Sequence, residues 1–256
     1  MFEYPAIYLP FARRKYRDYS LVISSDTELV IEGYFRSANT FAVHAFQLSQ
    51  EKPVRLAHHL HAPAQLITAA RRGIPTLLLI RNPDGAILSE LLYDNVAIPD
   101  ALEAYTRFYT CLLPYLDSFV VGEFDQVTHD FGTVIRRVNA RFGTNFVEFN
   151  HTDETARECF ELMNYRGTLS DIVYAFESGV VSLGELRRQL PALALLPQLP
   201  EFRQAWVPTE ERARLRQPLR ERLLDPGMAQ RRARAQAVYH QVLTAANLTP
   251  APSQPG

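Results

Sequence analysis

Short apolar runs rich in β-branched residues alternate with helical patterns in the first half of the chain. The runs span Glu28 to Gly33, Val54 to His59, Thr76 to Arg81 and Asp117 to Glu123, and helical patterns separate the first three. Parallel strands are joined by crossover helices, so this alternation predicts an α/β fold with a central parallel sheet flanked by helices. Ligands of such sheets bind beyond the carboxyl ends of the strands. The residues that directly follow each run are therefore the first candidates for a functional site.

The connections between the runs carry signals of helix starts and ends. Pro63 suits the first turn of a helix, and Gly73 suits its end. After the fourth run, Asp125 is expected to cap a helix that Gly143 terminates. The apolar stripe of that helix consists of Phe131, Val134, Ile135, Val138 and Phe142. A similar apolar spacing follows the first run, at Phe41, Ala45 and Leu48.

The size and composition predict one ordinary globular domain. The chain has 256 residues, of which 47% are hydrophobic and 21% charged. We expect a single domain over residues 1–247 with a helical C-terminal portion, followed by a disordered tail at 248–256, where prolines accumulate. Arginines concentrate from residue 203 onward, which is typical of a solvated helical face and also compatible with a cluster facing a phosphate.

Charge and apolar patterning argue against several classes of partner. The net charge is −1, so no global excess of charge favours a nucleic acid. No apolar run approaches the roughly 20 residues of a spanning helix, and no secretory signal is visible, so we expect no membrane partner and a cytoplasmic location. The two cysteines, Cys111 and Cys159, are expected to be reduced. The sequence leaves the oligomeric state open.

The loop after the first run matches the nucleotide-binding P-loop only in part. Against the pattern G-x-x-x-x-G-K-[ST], Gly33 and Thr40 fit, whereas Ala38 replaces the second glycine and Asn39 replaces the lysine. These departures disfavour a nucleoside triphosphatase. A strand, a tight loop and a helix N-terminus nevertheless present backbone N–H groups to a phosphate, and Arg36 supplies a positive charge.

Two segments resemble signatures of the sulfotransferase family. Residues 34–41 read Tyr-Phe-Arg-Ser-Ala-Asn-Thr-Phe and match six of eight positions of the family's phosphosulfate loop, Y-P-[KR]-S-G-[NT]-T-[WF], departing at Phe35 and Ala38. Residues 81–89 follow the family's pattern of R-[ND]-P with a later serine, and place Arg81 and Ser89 at its spacing. Gly85 stands where the family often has an acid, and Asp84 precedes it. The resemblance covers about residues 28–143 and implies that the α/β fold is a P-loop nucleotide-binding fold.

The resemblance also implies a role for the histidines after the second run. The family's catalytic histidine falls on His59, which would act as general base on the acceptor, as a neutral imidazole can near pH 7. In an extended chain His61 would share a side with His59 and serve as a second candidate, while His58 would point away. Ala57 replaces a lysine that is common in the family. A metal site and purely structural histidines are the rival interpretations.

The activity that the resemblance implies is transfer of a sulfuryl group from 3′-phosphoadenosine 5′-phosphosulfate (PAPS) to a hydroxyl or amine of a small-molecule or glycan acceptor. The other product would be adenosine 3′,5′-bisphosphate (PAP), and no metal would be needed. His59 and Arg36 would be catalytic. The donor would be bound by Arg36, Ser37, Ala38, Asn39, Thr40, Phe41, Arg81, Ser89 and, from the C-terminal portion, Arg212. For Phe41, which would stack on the adenine, a place in the core is an equal alternative.

Two other functions remain open at the level of sequence. One is a P-loop small-molecule kinase or another enzyme that uses a nucleotide, against which Asn39 argues. The other is an inactive sulfotransferase-like protein that only binds, which the departures at Phe35, Ala38 and Ala57 would explain.

Overall fold

A parallel sheet forms the centre of the protein, as the computed structural model shows for the residues that it describes, 1–16, 21–94, 96–165, 171–193 and 210–249. The sheet has four strands, which are β1 (Leu29–Gly33), β2 (Leu56–His58), β3 (Thr76–Ile80) and β4 (Val120–Glu123). Their spatial order is β2-β1-β3-β4, and every neighbouring pair is parallel. The expected α/β class and all four strands are confirmed, with ends that coincide with the expected bounds or lie at most three residues inside them.

Helices account for most of the remaining described chain. They are α1 (Pro5–Lys15), α2 (Asn39–Ser49), α3 (Pro63–Arg72), α4 (Pro83–Tyr93), α5 (Ile98–Thr110), α6 (Phe124–His129), α7 (Phe131–Phe142), α8 (Asp153–Tyr165), α9 (Asp171–Glu177), α10 (Leu183–Leu193), α11 (Glu210–Leu223) and α12 (Ala229–Ala245). The described part of the chain also has two short 3₁₀ helices, at Leu113–Ser118 and Pro226–Met228.

Alternate strand residues face two separate apolar layers. Val30, Leu78 and Val121 pack with α1, α3, α4, α5 and α12 on one face of the sheet. Leu29 and Leu77 pack with α2, α7 and α8 on the other face. All five β1 residues and all five β3 residues are buried, as expected for central strands covered on both sides.

The expected helix boundaries are correct at three positions and wrong at one. Pro63 begins α3, Gly73, with φ of 66°, ends it, and Gly143, with φ of 67°, ends α7. Asp125 does not cap the helix that contains the apolar stripe. The Glu123 side chain instead accepts a hydrogen bond from the Asp125 N–H at the start of α6, and Asp130 caps the separate helix α7. The chain therefore breaks at Asp130, where a single longer helix was expected.

The C-terminal portion is helical and packs onto the sheet domain. Helix α12 lies against α4, α5 and β4, and the Tyr239 hydroxyl donates to Glu123 at the end of β4 (3.3 Å). Leu248 packs on the core, and its N–H donates to the Leu243 carbonyl (2.9 Å). The disordered tail expected at 248–256 stays a prediction. Residues 250–256 lie outside the described chain. Within the described residues, no helix combines the length and apolar character needed to cross a bilayer.

The strand order changes direction between β1 and β3, and the carboxyl ends of these two strands are where an α/β sheet is expected to form a ligand crevice. The chain leaves β1 through α2 toward β2 on one side, and leaves β3 through α4 and α5 toward β4 on the other. Connections that diverge in this way open a gap above two adjacent strands, and α/β proteins bind ligands at such a position. We call it the β1–β3 crevice. The loop after β1 and the loop after β3 form its two walls.

Candidate functional site

The two resembling segments meet in the β1–β3 crevice through direct hydrogen bonds. Arg36 Nε donates to Ser89 Oγ at 3.2 Å, and Arg81 Nη1 donates to the Arg36 carbonyl oxygen at 3.1 Å. Ser89 is buried on α4. Residues 36, 81 and 89, far apart in sequence, therefore form one cluster, which we call the arginine cluster together with Arg216, described below.

The Arg81 guanidinium is held in a largely buried position. It lies over the Phe124 ring, with Cζ 3.7 Å from the ring centroid, a geometry that favours a cation–π interaction. Gly85 makes room for it, because a Cβ there would lie 3.1 Å from Arg81 Nε. Burial, followed by repulsion from Arg216 and Arg36, lowers the pKa of Arg81 to about 10. Converging positive charge of this kind suits an anionic group of a ligand.

One arginine of the C-terminal portion, Arg216, lies close to this cluster. Arg212 belongs to α11, but only its backbone is among the described parts of the structure. Arg216, one turn later, is partly buried and close enough to repel Arg81 electrostatically. Helix α11 packs along α4, which brings Arg216 to the crevice. The predicted role of Arg212 stays a prediction, and Arg216 is a second arginine of α11 that the structure describes near Arg81.

The R-N-P segment fixes the start of α4. Asn82 Oδ1 accepts from the Asp84 N–H (3.1 Å) as an N-cap, and Pro83 occupies the first helical turn. Asp84 forms a two-pronged ion pair with Arg232 of α12, with Nη2 2.6 Å from Oδ2 and Nε 3.2 Å from Oδ1. The acid at position 84 therefore anchors the C-terminal portion to the β1–β3 crevice.

The loop after β1 has the strained geometry that a glycine would relieve. Arg36 and Ala38 both have positive φ, of 61° and 67°, on either side of the buried Ser37. Ala38 is also the N-cap of α2. Left-handed residues in a loop that precedes a helix aim backbone N–H groups toward a concave space, a geometry that binds anions. Asn39, at the lysine position of a P-loop, is buried, and its Nδ2 donates to the Tyr34 carbonyl at 3.0 Å.

Phe41 lies in the core. Its ring is 2% exposed and packs against Phe131, Phe149 and Phe160, with centroids 5.5–6.5 Å away. The ring of His151 lies at 5.8 Å. Of the two roles that the sequence left open for Phe41, the structure favours the core role over stacking on an adenine.

His59 lies next to the start of α2, at the β2 side of the crevice. Its Nε2 is 3.1 Å from Thr40 Oγ1, and its Nδ1 is 2.5 Å from His58 Nδ1. The expectation of an extended chain is wrong here, because His59 and His61 have φ of 54° and 48°. His58 therefore does not point away from His59 but contacts it. His61 Nδ1 donates to the Gly33 carbonyl oxygen (2.8 Å), and its ring packs on Phe35, with centroids 4.3 Å apart.

Glu32, which the sequence analysis did not single out, lies beneath the histidines. It is fully buried at the end of β1 and accepts hydrogen bonds from the backbone N–H groups of Gly33 and Leu60 and from Gln65. His61 Nδ1 is 3.6 Å away. Burial raises the pKa of Glu32 to about 8 against the opposing effect of these donors. The sequence signal that could have identified Glu32 is a single carboxylate inside an otherwise apolar strand.

Among the described residues, one group of side chains lies close enough together to hold a metal ion. The ligand atoms of His58, His59 and Glu177 lie within 4.8 Å of one another. Each is already engaged within the protein: Glu177 contacts His44 (2.8 Å), His58 contacts Ser178 (3.2 Å), and His59 contacts Thr40. These hydrogen bonds account for the clustering. That the protein needs no metal stays a prediction.

Backbone strain concentrates at the site. Five described non-glycine residues have positive φ, and four of them, Arg36, Ala38, His59 and His61, lie in the loops after β1 and β2. Each such residue costs on the order of 1–3 kcal/mol and persists where the surrounding structure enforces it, often at ligand-binding positions.

No protein-family model matches the chain, and a search of curated proteins finds no match to its sequence. The function is therefore inferred from the residues of the site.

Proposed function

We propose that this protein is a P-loop sulfotransferase that moves a sulfuryl group from PAPS to a hydroxyl or amine of a small-molecule or glycan acceptor. The observation that carries the proposal is the meeting of the two resembling segments in the β1–β3 crevice, where Arg36, Arg81 and Ser89 contact one another beside the start of α2. A nucleotide with two separate phosphate groups needs two anion sites. The crevice offers the loop with its helix N-terminus, and the arginine cluster.

The arginine cluster suits the 3′-phosphate of the donor. Arg81 and Arg216 bring positive charge there, and Ser89 offers a hydroxyl. Arg36 also lies in this group, because its guanidinium contacts Ser89 and stands over the Tyr93 ring at 5.0 Å. The side-chain position of Arg36 supports its proposed role in binding. Its catalytic role on the bridging oxygen stays a prediction.

The chemistry would proceed between the loop and His59. The acceptor oxygen or nitrogen attacks the sulfur, the bond from sulfur to the bridging phosphate oxygen breaks, and PAP departs with the electron pair. His59 Nε2 takes the acceptor proton. The backbone N–H groups at the start of α2 stabilise the negative charge on the departing 5′-phosphate. Support for this role of His59 comes from the 3.1 Å distance between Nε2 and Thr40, which places the imidazole beside the loop.

The kinase alternative has less support from the site. Lys15 lies in the last turn of α1, and Lys52 is exposed between α2 and β2, so both lysines of the chain are away from the crevice. The Asn39 side chain, at the lysine position of a P-loop, is turned to the Tyr34 carbonyl.

Calorimetric titration with PAP and with ATP tests the proposal. We expect PAP to bind and ATP to compete poorly. Arg81→Gln should weaken PAP binding by about 10- to 100-fold or more, since a buried charge-assisted contact to a phosphate is worth roughly 1.5–3 kcal/mol. The matched control is Arg136→Gln, which removes an exposed arginine paired with Glu148 and should leave the affinity unchanged. Tighter binding of ATP would favour the kinase, and no binding by the folded protein would favour the inactive alternative.

Turnover provides the second test. With PAPS and a panel of phenols, alcohols, sugars and amines, we expect transfer to at least one acceptor class. His59→Ala should abolish that transfer while PAP affinity stays within a factor of two. Unchanged turnover in His59→Ala would refute the assigned base.

A further inference from the structure

A chain of three side-chain contacts connects the proposed base to the C-terminal half of the protein. His59 Nδ1 is 2.5 Å from His58 Nδ1, and His58 Nε2 is 3.2 Å from Ser178 Oγ. At the other end of this series of contacts, His59 Nε2 lies 3.1 Å from Thr40 Oγ1. His58 and Ser178 are both fully buried. Both nitrogens of His59 and both nitrogens of His58 thus have a named partner.

Ser178 is held in place from several directions. It follows the last residue of α9, and its carbonyl oxygen accepts a hydrogen bond from the Leu56 N–H at the start of β2 (3.3 Å). Gln47 of α2 donates to the carbonyl oxygens of both Val54 (2.7 Å) and Glu177 (3.2 Å), which joins the end of α9 to the segment before β2. The Ser178 hydroxyl is therefore a fixed partner for His58.

The contact between the two imidazoles constrains their protons. A neutral imidazole carries hydrogen on one nitrogen only, and one of the two Nδ1 atoms must donate to the other. If His59 donates, its Nε2 keeps a lone pair toward the crevice, and His58 must carry its own hydrogen on Nε2, directed at Ser178 Oγ. If His58 donates, His59 carries hydrogen on Nε2 and cannot accept a proton there. The two tautomers of His59 thus have opposite chemistry at the crevice.

We infer that His58 is a positioning residue that keeps the hydrogen of His59 on Nδ1 and the lone pair on Nε2, and that Ser178 holds the His58 ring for this contact. This inference rests on the proposed function, because a general base at Nε2 requires that order of protons. His58 then accepts from His59 and donates to Ser178, whose hydroxyl oxygen accepts. The orientation of the base thus depends on a residue more than a hundred positions along the chain.

Histidine tautomers can be read by long-range ¹H–¹⁵N correlation spectra of the full chain with ¹⁵N-labelled histidine, at pH 8, where an ordinary imidazole is neutral. We expect His59 in the Nδ1–H form and His58 in the Nε2–H form. His58→Phe removes the acceptor and should convert most of the His59 signal to the Nε2–H form. His58→Asn places an amide oxygen near the former Nδ1 and should restore the Nδ1–H form. Ser178→Ala should shift the His59 populations in the same direction as His58→Phe, by a smaller amount.

The control is His151→Asn, which removes another histidine packed beside α2, on Phe41, and should leave the His59 tautomer unchanged. PAP affinity, measured on the same samples, reports folding and tests the proposed function separately. His59 in the Nε2–H form in the unmodified protein, or a His59 tautomer unaffected by His58→Phe in a folded sample, would overturn the inference. Loss of PAP binding in all samples would instead contradict the sulfotransferase proposal.

Discussion

The two sides of the candidate site are built differently. In the β1–β3 crevice, the arginine cluster draws Arg36, Arg81 and Ser89 from the loop after β1 and from the segment after β3, both close to the strands that position them. On the β2 side, which we call the histidine side, His58 and His59 depend on Ser178 and its attachment to β2, from the C-terminal half. The hydrogen bonds of the first side join the segments that directly follow β1 and β3, with Arg216 and Arg232 added from the C-terminal portion, whereas those of the histidine side run through the end of α9. Changes at the end of α9 should therefore affect the histidine side first.

The largest effect is expected for Gly179→Ala, which adds one methyl group next to Ser178 on the histidine side. In Gly179→Ala the new Cβ would lie 1.9 Å from the Val54 carbonyl oxygen, at a residue with φ of 67°. The left-handed conformation costs about 1–2 kcal/mol and overpacking about 1–3 kcal/mol more. We therefore expect a loss of about 2–5 kcal/mol in unfolding free energy, measured by urea denaturation, with PAP affinity of the folded fraction retained.

Gly143→Ala is the matched control for this change. Gly143 has the same φ of 67°, and nothing lies within 4 Å of an added Cβ. Gly143→Ala should lower the unfolding free energy only by the cost of the left-handed backbone conformation, about 1–2 kcal/mol. Equal losses in the two variants would mean that the end of α9 is not packed against β2 as described.

The second effect concerns Glu32, which lies between the two sides. Burial raises its pKa to about 8 in the folded protein, compared with 4.5 in the absence of burial. Between these values the folded state holds a proton that the unfolded state has lost, so the unfolding free energy should fall as the pH rises from about 5 to 8. Glu90, whose burial raises its pKa to about 7, adds to this decline.

Glu32→Gln removes the titrating group and keeps an acceptor for the Leu60 N–H. The decline between pH 5 and pH 8 should become smaller, by on the order of 2 kcal/mol, as measured by denaturation at each pH. A variant with the same pH dependence as the unmodified protein would contradict the assigned protonation of Glu32.

The smallest effect is expected in the loop of the crevice. Ala38 has φ of 67°, a conformation that glycine adopts without steric cost. Ala38→Gly should therefore raise the unfolding free energy by up to about 1 kcal/mol, because the relief of strain exceeds the added entropy of the unfolded chain. The measurement is a slight rise in melting temperature. Ala42→Gly, in the interior of α2, should do the opposite. A loss of stability in Ala38→Gly as large as in Ala42→Gly would argue that the loop is unstrained.

The sheet could be predicted from the sequence because its signals are local. Each strand is a short apolar run, and α3 is bounded by Pro63 and Gly73. The meeting of the segments after β1 and β3 follows from strand adjacency, since parallel strands end at one edge. The error at Asp125 arose because two acids, Glu123 and Asp130, compete for capping in the same short region.

The supporting residues could not be predicted, because their positions depend on packing between distant segments. Ser178 has no motif, and its role follows from the attachment of α9 to β2. The position of Arg216 near Arg81 could not be predicted, because it follows from the packing of α11 on α4. The relation between His58 and His59 was mistaken because the sequence gives no sign that residue 59 adopts a left-handed conformation.

The central claim is that the arginine cluster binds the 3′-phosphate of a nucleotide. The most direct measurement is the ratio of the affinities for PAP and for adenosine 5′-phosphate, which differ only in that phosphate, in the unmodified protein and in Arg81→Gln. We expect the unmodified protein to prefer PAP by about 10- to 100-fold or more, and this preference to fall strongly in the variant. Equal affinities for the two nucleotides in the unmodified protein, or a preference that survives in Arg81→Gln, would contradict the claim.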